Sequence, residues 1–155
     1  MRKRKPKKRV LAPDPRFGDT LVTQFVNNLM WSGKKSVAFE VFYEAMDIVA
    51  EKTGENPHEV WKTGLNNIIP NVEVRSRRVG GSTYQIPTEI RPARKLSIGI
   101  KWMIKFARKR SGKGMAQKLS AEIIAASKKE GAAVKRREDT HKMAESNRAF
   151  AHFRV

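Results

Sequence analysis

Val72-Glu73-Val74-Arg75-Ser76-Arg77-Arg78-Val79-Gly80-Gly81-Ser82-Thr83-Tyr84-Gln85-Ile86-Pro87 is the stretch in which the chain changes its period. Apolar and charged residues alternate from Val72 to Arg75, which is the pattern of a strand. Gly80-Gly81 supplies two residues that take positive φ without steric cost, and Thr83 to Ile86 returns as the second strand. The spacing predicts a β-hairpin at about 72–88, with Pro87 at its end or on an open edge because proline donates no ladder bond. A lone two-stranded ribbon is marginal in water, so it should project from a larger body and gain order on a partner.

The flanking sequence supplies that body. On the N-terminal side Asp19 opens a helix with Leu21, Val22, Phe25, Val26, Leu29 and Met30 at helical spacing, ended by Gly33. A second helix carries Val37, Val41, Phe42, Ala45, Met46 and Val49 on one side and stops at Thr53-Gly54. Asn56-Pro57 starts a third, with Val60, Trp61, Leu65, Ile68 and Ile69 as its buried face and Pro70 as its stop. Beyond the hairpin Pro92 opens a fourth helix, Met115, Leu119, Ile123 and Ala126 mark a fifth, and a sixth covers roughly 132–148. Pairs Glu138–Lys142 and His141–Glu145 are spaced to lace that last helix. The expected fold is mainly α: a six-helix domain over 19–155, with the hairpin between the third and fourth helices. Residues 1–18, with three prolines amid charge, read as a basic arm that is disordered until bound.

Charge then suggests what such a body is for. The 155 residues carry 33 Lys+Arg against 15 Asp+Glu, a net +18, which points to a polyanionic partner. The excess is segregated: +7 in residues 1–9, −3 in 10–72, +10 in 73–113 and +4 in 114–155. On a helical wheel Arg94, Lys101, Lys105, Arg108 and Lys109 fall within about 100° of one another. Leu96, Gly99, Ile100, Met103, Phe106 and Ala107 lie opposite, so the fourth helix packs on one side and is cationic on the other. Gly99, costly in a helix interior, reads as an allowance for close packing. Arg75, Arg77 and Arg78 before the hairpin tip, Lys34 and Lys35 at a helix–helix turn, and the arm are further candidate phosphate contacts. Edge protection and ordinary solvation are the bland alternatives for these charges. Tyr84 suits base stacking and packing about equally, while Trp31, Trp61 and Trp102 read as core or core-edge anchors.

Other chemistries find little support. There are no cysteines, so disulfide scaffolds and thiol catalysis are excluded. The basic start lacks the apolar stretch of a secretory signal, and no apolar run approaches membrane-spanning length, so no membrane partner is expected. Gly33-Lys34-Lys35-Ser36 resembles a phosphate loop only in part: Asn28 stands where the first glycine belongs and Lys35 where the hydroxyl belongs. His141 and Glu145 share a helix face, but three histidines make no convincing metal cluster. No nucleophile–base–carboxylate set stands out. A binding protein without cofactor or metal is expected, not an enzyme. An architectural DNA-binding protein is the competing reading, since basic ribbon arms also grip a minor groove.

The run from Val74 to Pro87 resembles the hairpin signature of the universal small-subunit ribosomal protein seven family, bacterial type. Arg137-Glu138-Asp139-Thr140-His141-Lys142-Met143-Ala144-Glu145, continuing to Ala149-Phe150-Ala151-His152, is similar to its C-terminal helix. Pro13-Asp14-Pro15, Gly33-Lys34-Lys35-Ser36 and Ala107-Arg108-Lys109-Arg110 match its other landmarks in order along the chain. The resemblance implies a cytoplasmic, ribosome-bound protein that binds the 3′ major domain of small-subunit rRNA and nucleates assembly of the subunit head. It implies a place at the subunit interface near the exit-site tRNA and the mRNA path, beside the ninth and eleventh small-subunit proteins. Carried over, Lys3, Arg4, Lys5, Lys7, Lys8, Arg9, Lys34, Lys35, Arg75, Arg77 and Arg78 become rRNA contacts. Arg91, Arg94, Lys95, Lys101, Lys105, Arg108, Lys109, Arg110, Lys113 and Met115 join them. Val79, Gly80, Gly81 and Ser82 at the tip, with His141, Lys142 and Arg148, fall to the tRNA and mRNA side.

Overall fold

Cap chemistry sets the starts of the first and third helices and the end of the second. The structure, a computed structural model, describes residues 9–153. The expected contacts at Lys3, Arg4, Lys5, Lys7 and Lys8 lie outside those residues. Helix α1 (Thr20–Leu29) starts where the Asp19 carboxylate accepts from Leu21 N at 2.8 Å. Helix α2 (Lys35–Thr53) ends at Gly54, whose φ of 68° is left-handed. Helix α3 (Pro57–Ile68) opens as expected, with the Asn56 side chain accepting from His58 N at 3.1 Å and proline in the first turn. Strands β1 (Val72–Val79) and β2 (Ser82–Glu89) follow, then α4 (Pro92–Lys109), α5 (Met115–Ser127) and α6 (Ala132–Ser146).

Three boundaries differ from expectation. Helix α1 stops at Met30 and not at Gly33, because Trp31, Ser32 and Gly33 form the turn into α2, with Ser32 and Gly33 both at positive φ. A seventh, 3-10 helix over Arg148–Phe153 follows α6. Within the expected arm of 1–18, the described part from Asp14 onward is folded. Asp14, 2% exposed, accepts from Arg16 N, Phe17 N and Asp19 N and from the Tyr43 hydroxyl, which folds this segment onto α2. Phe17 stacks on His58 with centroids 4.9 Å apart. A buried carboxylate needs such donors, and here backbone N–H groups provide most of them.

Helix α5 is the axis of the core, in contact with α2, α3, α4 and α6. Leu119, Ile123 and Ala126 are fully buried along it. Phe25, Phe42 and Trp61 form an aromatic cluster between α1, α2 and α3, with Trp61 edge-on to both rings at 5.4–5.5 Å. Two glycines set the closest approaches. A Cβ on Gly64 would lie 3.1 Å from the Ile123 carbonyl oxygen, and one on Gly99 only 2.7 Å from Ile69 Cγ1. Gly99 is thus the packing allowance that its place in a helix interior suggested.

The strands pair antiparallel, Val79 opposite Ser82 and Val72 opposite Glu89. Gly80 and Gly81 both have positive φ, as a two-residue hairpin turn of the primed type requires. Pro87 sits opposite Val74 inside the ladder, so the ribbon runs on to Glu89 rather than stopping at the proline. Its lower part does not project freely. It packs against α6, and the 3-10 helix lies on β2.

One polar group in this core ties three helices together. Glu122 of α5 is fully buried and pairs with Arg110 at the end of α4, while its other oxygen accepts from Ala133 N at the start of α6 at 3.1 Å. Removing one member of a buried, hydrogen-bonded pair strands the others. Glu122→Ala is expected to lower the unfolding free energy by about 3 kcal/mol, read as a fall in the urea midpoint at neutral pH.

Candidate nucleic-acid interface

Alternation along β1 divides the three ribbon arginines between two faces. Residues directly opposite share a face, so Arg75 and Arg77 lie with Ile86 and Tyr84, whereas Arg78 lies with Thr83 on the other side. The first face is the covered one. Ile86 is buried, and Tyr84 meets Phe150 and Phe153 at 5.2 Å, so it packs against the C-terminal turn. Arg77 donates to the Phe153 carbonyl at 2.7 Å. Arg78 is exposed and makes no ion pair or hydrogen bond among the described residues. At the tip Gly80, Gly81 and Ser82 are exposed and Val79 is half-buried.

The root of the ribbon is held by Glu73. Its carboxylate pairs with Arg75 at 2.5 Å and with Arg94 of α4 at 3.0 Å, and its own side chain is largely buried. Burial works to raise the Glu73 pKa, but hydrogen bonds and charge from Arg94 and Arg75 outweigh it and hold the carboxyl below its ordinary 4.5. Lys95 completes the joint by donating to the Asn71 side chain at 3.1 Å. Across the root, Asn71 N donates to His141 Nε2 at 3.1 Å. Burial, with Arg137 nearby, lowers the His141 pKa from 6.5, so the ring is neutral at pH 7 and free to accept that bond. His141 therefore does not pair with Glu145, and neither spaced pair expected along α6 forms among the described residues; Arg137–Glu138 at 4.0 Å is the ion pair found there. Arg91, Lys142 and Arg148 are exposed.

The outer face of α4 is different, because its cations are largely unpaired. Lys101, Lys105 and Lys109 are exposed with no acidic partner among the described residues. Arg108 donates to the Leu29 carbonyl at 3.0 Å and covers the Trp31 ring at 4.8 Å. Arg110 is engaged with buried Glu122 and is a structural residue in this fold. The body's acids lie elsewhere: Asp19 binds His58 and Lys62, Asp47 binds Arg16, and Glu40, Glu44 and Glu51 are exposed on α2.

Folding also brings together residues far apart in sequence. Lys34, Arg108, Lys113 and Met115 line one groove of about 460 Å³, with Trp31 in its wall. Trp31 also borders a second groove of about 310 Å³ lined by Lys101, Lys105 and Lys109. Lys35 is directed over Phe39 at 5.8 Å. Arg9 is exposed. Sequence reasoning missed two members of this surface, Lys118 and Trp31. Lys118 lies one helical turn after Met115, a spacing that would have found it. Trp31, expected in the core or at its edge, is 70% exposed; Trp61 is fully buried and Trp102 half-buried.

A helical scaffold with a pinned basic ribbon and an unpaired cationic face has the charge layout suited to a polyanionic partner. Comparison with known proteins sharpens that reading. The family model described as ribosomal protein S7p/S5e matches residues 1–148. The chain is 63% identical over 154 residues to the small ribosomal subunit protein uS7 of Cytophaga hutchinsonii, covering 99% of both. It is 64% identical over 157 aligned positions to that of Flavobacterium psychrophilum, again covering 99% of both, and 60% identical over 155 to that of Amoebophilus asiaticus, covering 100% of both. The chain belongs to the ribosomal protein S7p/S5e family. It is a structural ribosomal component and not an enzyme, and no helix among the described residues is long and apolar enough to cross a membrane.

The depressed pKa of Glu73 makes the ribbon joint sensitive to acid. A carboxyl whose folded pKa lies below its unfolded value stabilises the fold above the unfolded value and loses that contribution as pH falls through the folded one. Wild type should exceed Glu73→Gln in stability at pH 6–7, with the difference shrinking below the ordinary 4.5. Denaturant midpoints of the two proteins across pH 3 to 7 check this; a constant difference would refute it.

Proposed function

We propose that this protein is a primary rRNA-binding constituent of the small ribosomal subunit, which binds the 3′ major domain and nucleates assembly of the head. The observation that carries the reading is the convergence of the α1–α2 turn, the outer face of α4 and the α4–α5 loop into one cationic surface whose groove walls hold no acid. Folded RNA offers phosphates at varied angles, and a rigid body with cations on several elements meets them by shape. A-form major grooves are too narrow to be read by side chains. The ribbon tip at Val79 to Ser82, with Lys142 and Arg148, faces the exit-site tRNA and mRNA in this reading, beside the ninth and eleventh small-subunit proteins. His141 serves that side as a support for the ribbon root through Asn71. Lys3, Arg4, Lys5, Lys7, Lys8 and Arg9 extend the phosphate contacts along the arm.

Binding is then mainly electrostatic, with a cost in ordering long side chains that charge-assisted hydrogen bonds offset. Lys101→Gln, Lys105→Gln and Lys109→Gln combined should leave the helical circular dichroism unchanged, since all three side chains are exposed. Filter binding to a 3′ major domain transcript should show the slope of log K against log salt reduced by about 2. An unchanged slope would remove α4 from the interface. Equal competition by duplex DNA at matched salt would favour the architectural DNA-binding reading instead.

A further inference from the structure

Trp31 is the largest apolar side chain left outside the core among the described residues, at 70% exposure, and it stands between two basic grooves. Burying an indole is worth several times burying a methyl group, so its exposure calls for a reason. The ring is not loose. The Arg108 guanidinium covers it at 4.8 Å, and Arg108 is itself held by the Leu29 carbonyl at 3.0 Å. The turn that carries Trp31 is closed by Lys34 N donating to the Trp31 carbonyl at 3.0 Å. Cation, indole and turn thus form a fixed stack on the protein surface.

We propose that Trp31 is a stacking platform for an unpaired nucleobase of the bound RNA, an inference that rests on the rRNA-binding function proposed above. The surroundings select that occupant. The groove beside Trp31, about 460 Å³, has an apolar floor from Leu29, Val41 and Met115, so it accepts a flat, weakly polar group. Its rim is Lys34, Arg108 and Lys113, with no acidic residue in either groove wall, so the flat group arrives attached to anions. A base with its flanking phosphates satisfies both requirements. A protein partner would have to desolvate several unpaired cations around an apolar spot. Base–aromatic stacking tolerates any base because each has a π-face, so the platform adds affinity without reading sequence.

The test compares wild type, Trp31→Phe and Trp31→Ala in filter binding to the 3′ major domain transcript over a salt series. Because the side chain is exposed, both variants should keep wild-type urea midpoints. Trp31→Ala is expected to weaken binding about tenfold with an unchanged salt slope, and Trp31→Phe to stay within about threefold of wild type, since an aromatic face remains. Wild-type affinity in Trp31→Ala would overturn the proposal. So would equal losses in both variants with a flattened slope, which would mean that Trp31 acts only by placing Arg108. Failure of the underlying rRNA reading is distinguishable, because wild type itself would then not prefer the transcript to duplex DNA.

Discussion

The buried carboxylate of Glu122 is the constraint on which the arrangement of the last three α-helices turns. A charge removed from water must find partners, and this one finds Arg110 from α4 and the Ala133 N–H from α6. Because both partners lie at helix ends, the bond sets where α4 stops and where α6 begins. Gly131, at φ 93°, makes the turn that brings Ala133 to it, and a Cβ at Gly131 would lie 3.4 Å from the carboxylate. The cationic face of α4 and the helix supporting the ribbon root are thereby fixed relative to one another.

The same logic separates the basic residues into two populations. Arg16, Arg75, Arg94 and Arg110 are consumed by carboxylates; Arg16, Arg94 and Arg110 join separate segments, while Arg75 meets Glu73 two residues away on its own strand. Among the described residues Arg78, Lys101, Lys105 and Lys109 meet no acid. Arginine dominates the first population because its planar fork matches a carboxylate and is weakly hydrated, while Lys101, Lys105 and Lys109 lie on a solvated helix face. The net charge of +18 already cancels these arginines against their carboxylates, so the excess resides on the unpaired cations.

Much of this was legible beforehand, for identifiable reasons. Periodicity announced the helices, and Asp19, Asn56-Pro57 and Gly54 announced their ends, because caps are local chemistry. The Gly80-Gly81 turn announced the ribbon. What escaped the sequence was what depends on distant partners. Asp14 looks like one more charge in a proline-rich arm until Tyr43 and three backbone donors enclose it. Trp31 sits at the end of an apolar run, and only the turn after Met30 carries it away from the core. Arg108 and Arg110 are both basic residues of one helix end, yet one faces solvent beside Trp31 and the other a buried glutamate. The candidate interface was readable as a set of cations, whereas its division into free and committed members required tertiary structure.

That division bears on how the ribbon works. Ordering a free backbone segment costs about 1–2 kcal/mol per residue, which would tax a tip that had to fold on its partner. Here the cost is largely met within the fold. Glu73 locks the root to α4, His141 holds Asn71, and Tyr84 and Arg77 rest on the C-terminal turn. The glycine turn then presets the tip, since both residues already occupy the positive φ that closes the hairpin. Only side chains such as Arg78 remain to be ordered on contact. A ribbon expected to be marginal in isolation is instead an arm braced on one face, with its other face left open.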